Sequence, residues 1–95
     1  MAARVTITEE SIPRLPNGSV LRFDQARKQW VVLAPERLFV LDETAHDILN
    51  RCDGKATVAA IVDALAAAYA APRNVILADV QAMLQDFADK GVMTA

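Results

Sequence analysis

Few residues of this chain have side chains suited to catalysis: one histidine, His46; one cysteine, Cys52; two serines, Ser11 and Ser19; and two adjacent carboxylate pairs, Glu9 with Glu10 and Asp42 with Glu43. A serine or cysteine nucleophile needs a base in reach, and a protein metal site generally needs three or four ligands. His46 stands beside Asp47 and Asn50 on what reads as the outer, solvated face of a helix, while Cys52 falls on that helix's apolar stripe as a small core residue. Glu9 and Glu10 lie in an N-terminal arm, and Asp42 and Glu43 lie at a helix start, where the helix dipole favours carboxylates without any catalytic role. Gly18, Gly54 and Gly91 are isolated and build no phosphate-cradling loop. The expectation is a protein that is not an enzyme and uses no metal or cofactor.

The elements that carry these residues follow from pattern. Residues 1–18, punctuated by Pro13, Pro16 and Gly18, show no sustained period and read as an arm; residues 19–95 read as one domain. "SVLRFD", "WVVLA" and "RLFVL" give three strands, with a turn over Asp24–Lys28 and a tight turn pre-set by Pro35. From Asp42 the period changes from two to 3.6, with Asp42 or Thr44 placed to cap a short helix whose stripe is Ala45, Ile48, Leu49 and Cys52. Asp53-Gly54 ends it. Thr57 caps a second helix with Val58, Ile61, Val62, Leu65 and Tyr69 inward, and Pro72 stops it. A third helix runs from about Asn74 to Lys90 with Ile76, Val80, Met83, Leu84 and Phe87 inward. The fold class is α+β, a three-stranded antiparallel meander followed by three helices in a winged-helix-like order.

Ninety-five residues support a single core. The longest apolar run falls far short of the roughly 18 residues of a membrane span, and the N-terminus carries no export signal, so a cytoplasmic protein away from membranes is expected. A lone cysteine fits a reducing compartment. Net charge is -2, with six basic against four acidic side chains in residues 1–41 and four against eight in residues 42–95. A winged-helix DNA binder needs Lys and Arg along its recognition helix. The third helix carries Arg73 and Lys90 only at its ends, with Asp79, Asp86 and Asp89 between, which argues against nucleic acid.

The second and third strands lack the polar alternation of a half-buried sheet. Helices can cover Trp30 and Val32 or Val31 and Leu33, but not both sets, so the other face needs the arm, a second copy or a partner. The third strand lies at a sheet edge, a place where an extended peptide can add as a strand. A groove between that edge and the third helix would offer backbone partners from Leu38 to Leu41 and apolar pockets from residues such as Val80, Met83, Leu84 and Phe87.

One resemblance runs through nearly the whole chain from Arg14: Arg14 and Leu15, Gly18, "LRFD" at Leu21 to Asp24, Arg27, "WVVLAPER" at Trp30 to Arg37, "LDETA" at Leu41 to Ala45, Ile48, Leu49, Asp53-Gly54, and "DKG" at Asp89 to Gly91. With these residues the sequence resembles the PqqD family of pyrroloquinoline quinone (PQQ) biosynthesis. The resemblance implies a non-catalytic peptide chaperone that binds the ribosomal precursor peptide PqqA and presents it to PqqE, a radical S-adenosylmethionine enzyme that joins a Glu to a Tyr of that peptide. It also implies a winged-helix form that takes the peptide as a strand beside the third strand and third helix, and so singles out this edge over the first strand. Relatives serve as leader-recognition domains in other peptide-modifying pathways, which is the alternative. On this basis Leu38, Phe39, Val40 and Leu41 are assigned to peptide pairing, Val80, Met83 and Phe87 to anchoring, and Arg22 and Arg37 to electrostatic contact with acidic peptide groups. The same edge could accept a second copy of the chain, directly or by strand exchange.

Overall fold

In a computed structural model, residues 5–95 are described; residues 1–4, the start of the arm with Arg4, lie outside the described residues. The chain forms β1 (Val20–Asp24), β2 (Gln29–Ala34) and β3 (Arg37–Leu41), then α1 (Glu43–Asn50), α2 (Val58–Tyr69) and α3 (Arg73–Asp89). The sheet is antiparallel in the order β1-β2-β3, so the α+β meander-then-helices arrangement is the one the pattern predicts.

Local chemistry accounts for the boundaries. The β1–β2 turn is held by the Asp24 carboxylate, which accepts from the amides of Ala26 and Arg27 at 2.9 and 3.1 Å and pairs with the Arg27 guanidinium at 2.6 Å. Pro35 and Glu36 close the β2–β3 hairpin, with Glu36 at a φ of 61°. Of the two candidate caps for α1, Asp42 is the one used, accepting from the Ala45 amide at 2.7 Å; Thr57 caps α2 by accepting from Ala60 at 3.1 Å. α2 ends on Ala70 in the left-handed region, two residues before the proline expected to stop it, and Pro72 instead starts α3 as its N-cap, where the missing amide costs nothing.

Pleating sorts the strands. Leu21, Val32, Phe39 and Leu41 face the helices and join the core built by Ile48, Leu49, Val58, Ile61, Val62, Leu65, Val80, Leu84, Phe87, Val92 and Met93. The other face holds two cross-strand rows, Val20–Leu33–Leu38 and Arg22–Val31–Val40. Helices cover only the first face.

The arm lies elsewhere. The first amides of a helix lack intrahelical partners; here those of Val58 and Ala59 donate to the carbonyls of Ser11 and Glu9 at 2.8 and 3.0 Å. Arg14 exchanges both of its backbone bonds with Thr94, at 2.8 and 2.9 Å, and the Gly54 amide donates to the Pro13 carbonyl. Gly54 sits at a φ of +77°, and a Cβ there would approach the Arg14 side chain to 3.3 Å, so glycine serves both the turn and the close passage. Ile7, 4% exposed, enters the core, and its amide donates to Gln85 Oε1 at 2.8 Å. Residues 5–18 therefore make their backbone bonds with the helices and the C-terminal tail, and none with the outer sheet face. Among the described residues no helix is long and apolar enough to cross a membrane.

Candidate functional site

Strand order gives β3 one neighbour, β2. A two-residue hairpin loop closes on a hydrogen-bonded pair, here Ala34 with Arg37, and antiparallel ladders alternate bonded with non-bonded pairs. Arg37, Phe39 and Leu41 thus bond to β2, while Leu38 and Val40 turn a donor and an acceptor each toward the free edge. Among the described residues no backbone bond from another element reaches them.

α3 lies beside this edge. Arg37 Nη2 donates to the Lys90 carbonyl at 2.5 Å, and the Phe39 ring stands 5.7 Å from that of Phe87 with the Arg37 guanidinium and Lys90 ammonium at 5.6 and 5.8 Å from its centroid. One end of the groove is therefore clasped by cations around an aromatic ring. Toward the α3 N-terminus a cavity of about 200 Å³ opens between α1, α2 and α3, lined by Thr44, Ile48, Leu65, Tyr69, Ile76, Asp79 and Val80. Its floor is aliphatic, and its rim carries a hydroxyl, a phenol and a carboxylate.

The predicted site residues fall into distinct positions. Leu38 and Val40 are 40% and 48% exposed, with side chains on the outer sheet face. Phe39 and Met83 are half-buried against the core, and Leu41, Val80 and Phe87 belong to it, with Val80 alone of the seven reaching the cavity. Arg37 belongs to the clasp. Arg22 stands on β1, with β2 between it and β3, and the structure does not bring it to the groove.

Two residues differ from their sequence reading. Tyr69 is 47% exposed, not inward: its hydroxyl donates to the Asp47 carboxylate, a bond that raises the phenol's pKa and lets the ring roof the cavity. Its place at the last position of α2, over the start of α3, gives the side chain a way out of the core. His46 is half-buried rather than on a solvated face. Its ring stacks on Trp30 at 4.1 Å and 13°, and its Nε2 is the one buried side-chain nitrogen or oxygen without a hydrogen-bond partner among the described residues. The reason is register: Trp30 pairs with Leu41 at the end of the ladder, so its indole reaches the first turn of α1, with Phe23 packed edge-on at 5.5 Å. Sequence reasoning also missed the cavity's Thr44 and Asp79; their only signal was helical spacing from Ile48 and from Ile76.

The other perturbed groups hold structural positions. Burial, with the Asp53 charge adding to it, pushes the Cys52 thiol up to about 12, and Sγ donates to the Ile48 carbonyl at 3.2 Å. Asp53 is held below its usual range by the amides of Ala56 and Lys55, and Asp24 by the amide and guanidinium of Arg27, which are turn-building roles. Among the described residues no three His, Cys, Asp or Glu side chains group to hold a metal.

Comparison with known proteins places these features in a family. Residues 29–93 match the family model described as coenzyme PQQ synthesis protein D (PqqD). A PqqA binding protein of Rhodopseudomonas palustris strain HaA2 is 54% identical over 95 residues, covering 99% of this chain and 93% of the relative. The solution NMR structure of the PqqD truncation of Methylobacterium extorquens PqqCD, which represents a functional and stand-alone recognition element for ribosomally synthesised, post-translationally modified peptides, superposes with a TM-score of 0.81 at 42% identity over 94% of this chain and 95% of that one. The crystal structure of PqqD from Xanthomonas campestris gives 0.60 at 38% identity over 95% and 100%.

Proposed function

The chain belongs to the PqqD family, and from that premise we propose that it is a non-catalytic recognition element that binds the precursor peptide PqqA as a fourth strand on β3 and presents it to PqqE. The observation that carries this reading is the free edge of β3 beside α3, with donors and acceptors on Leu38 and Val40; an aliphatic cavity between the three helices adjoins the same α3. Energetics require both parts. About four backbone hydrogen bonds at ~1 kcal/mol net each only match an association cost of at least ~4 kcal/mol. Two or three buried side chains at ~1.5–3 kcal/mol each bring the total to about -8 kcal/mol, a micromolar complex.

Phe39, Leu41, Val80 and Phe87 act in this reading mainly as the groove's rigid back, and Met83 as an adaptable wall. Arg37, with further N–H donors beyond the one given to Lys90, meets acidic peptide groups at the clasped end. Arg22, on the far strand, contributes only long-range attraction. A second copy of the chain can use the same free edge, so self-association and peptide binding compete.

Titration of isotope-labelled protein with synthetic PqqA tests the reading. Saturable amide shifts at Leu38–Leu41 and along α3 at micromolar peptide are expected. An absence of shifts at several hundred micromolar, with the protein folded and monomeric, would sink the assignment to PqqA and favour the leader of another peptide-modifying pathway.

A further inference from the structure

The peptide groove leaves the outer face of the sheet unused. Val20, Leu38 and Val40 stand there 53%, 40% and 48% exposed, Leu33 is half-buried between them, and Val31, outside the main core, is only 1% exposed. The described arm makes its backbone bonds on the helical side and none with this face. Two charged side chains occupy it. Asp24 is compensated by Arg27 and two amides, whereas Arg22 has no ion-pair partner among the described residues. The face is thus an apolar sheet with one uncompensated cation. A second copy packed here would bring another uncompensated Arg22 and no free carboxylate, so charge disfavours self-packing. A partner protein with an apolar patch and a carboxylate is complementary.

Geometry adds a condition. A strand added at the β3 edge continues the pleat, so its alternate side chains stand on the same side as Leu38 and Val40. Resting on the peptide-binding reading above, we propose that the outer sheet face, completed by those peptide side chains, is the surface on which the peptide-modifying enzyme docks, with an enzyme carboxylate on Arg22. The enzyme then recognises the loaded chain over the empty one. Strands of five or six residues span only about 17–20 Å, an area suited to a transient encounter that must release its product.

The test uses Val20→Lys on this face and Val75→Lys on α3 as a control of the same chemistry, both at exposed valines. PqqA affinity is followed by amide shifts, and PqqE binding by titration with and without saturating peptide. Both variants are expected to hold peptide within about twofold of wild type. The loaded wild type binds PqqE at least fivefold tighter than the empty chain; loaded Val20→Lys loses at least tenfold and loaded Val75→Lys keeps wild-type affinity. Wild-type docking by loaded Val20→Lys, or equal docking of empty and loaded wild type, overturns the proposal. Failure of the wild type to bind PqqA appears in the first measurement, defeats the peptide reading itself, and takes the composite surface with it.

Discussion

Cys52 loses its reactivity to its surroundings. With its pKa pushed up to about 12 from an ordinary 9.0, the folded thiol is almost entirely protonated at pH 8, and reaction with a disulfide reagent is expected to run at least ~100-fold slower than in denaturant. A rate equal in both states would show the side chain to be open. The sign of the linkage follows: the unfolded thiol ionises first, so stability falls as pH rises from 9 toward 12, and wild type should lose more between pH 8 and pH 10.5 than Cys52→Ala does. Asp24 and Asp53 act in the opposite direction. Their carboxyls are lowered by hydrogen bonds, so their contribution is present above the ordinary 3.8 and is lost as pH falls through and below it. Acid unfolding curves of Asp24→Ala and Asp53→Ala should be flatter than wild type below pH 4.

Strand pairing divides β3 into two kinds of residue. Proline at Val40 removes a donor that faces the free edge, whereas proline at Phe39 removes one already bonded to β2. Val40→Pro is therefore expected to keep a cooperative thermal transition and lose at least tenfold in peptide affinity; Phe39→Pro is expected to lower the melting temperature as well. Equal melting temperatures for the two variants would contradict the register. The β2–β3 hairpin was legible because Pro35 and Glu36 are local punctuation, and the helix starts because Asp42 and Thr57 act within four residues of themselves. His46 and Tyr69 were not. What decides them is a contact across the fold, to Trp30 and to Asp47, and helical periodicity carries no information about a partner from another element. A groove beside β3 could be read from the residues, but the preference for this edge over that of β1 came from the family resemblance, since an apolar strand pattern does not say which of two edges is used.

At the level of the molecule, the arm is part of the structure that holds the core closed. Ile7 is 4% exposed within the core, so Ile7→Ala is expected to cost about 2–4 kcal/mol in urea unfolding. Val5→Ala, at an arm residue 39% exposed, should cost less than about 0.5 kcal/mol. Similar losses in both would mean that the arm does not dock. Much of its path was hidden in the sequence because the carbonyls of Glu9, Ser11, Pro13 and Arg14 hold it alongside Ile7, and main-chain groups leave no pattern of side chains. The Arg14–Thr94 pairing bears on how the protein is made. Eighty residues separate its two members, so on a ribosome Arg14 must wait, without this partner, until Thr94 has emerged. Elongation at roughly 5–20 residues per second stretches that wait to several seconds. During it the sheet and helices can assemble first, and the pairing then joins two segments of the chain made seconds apart.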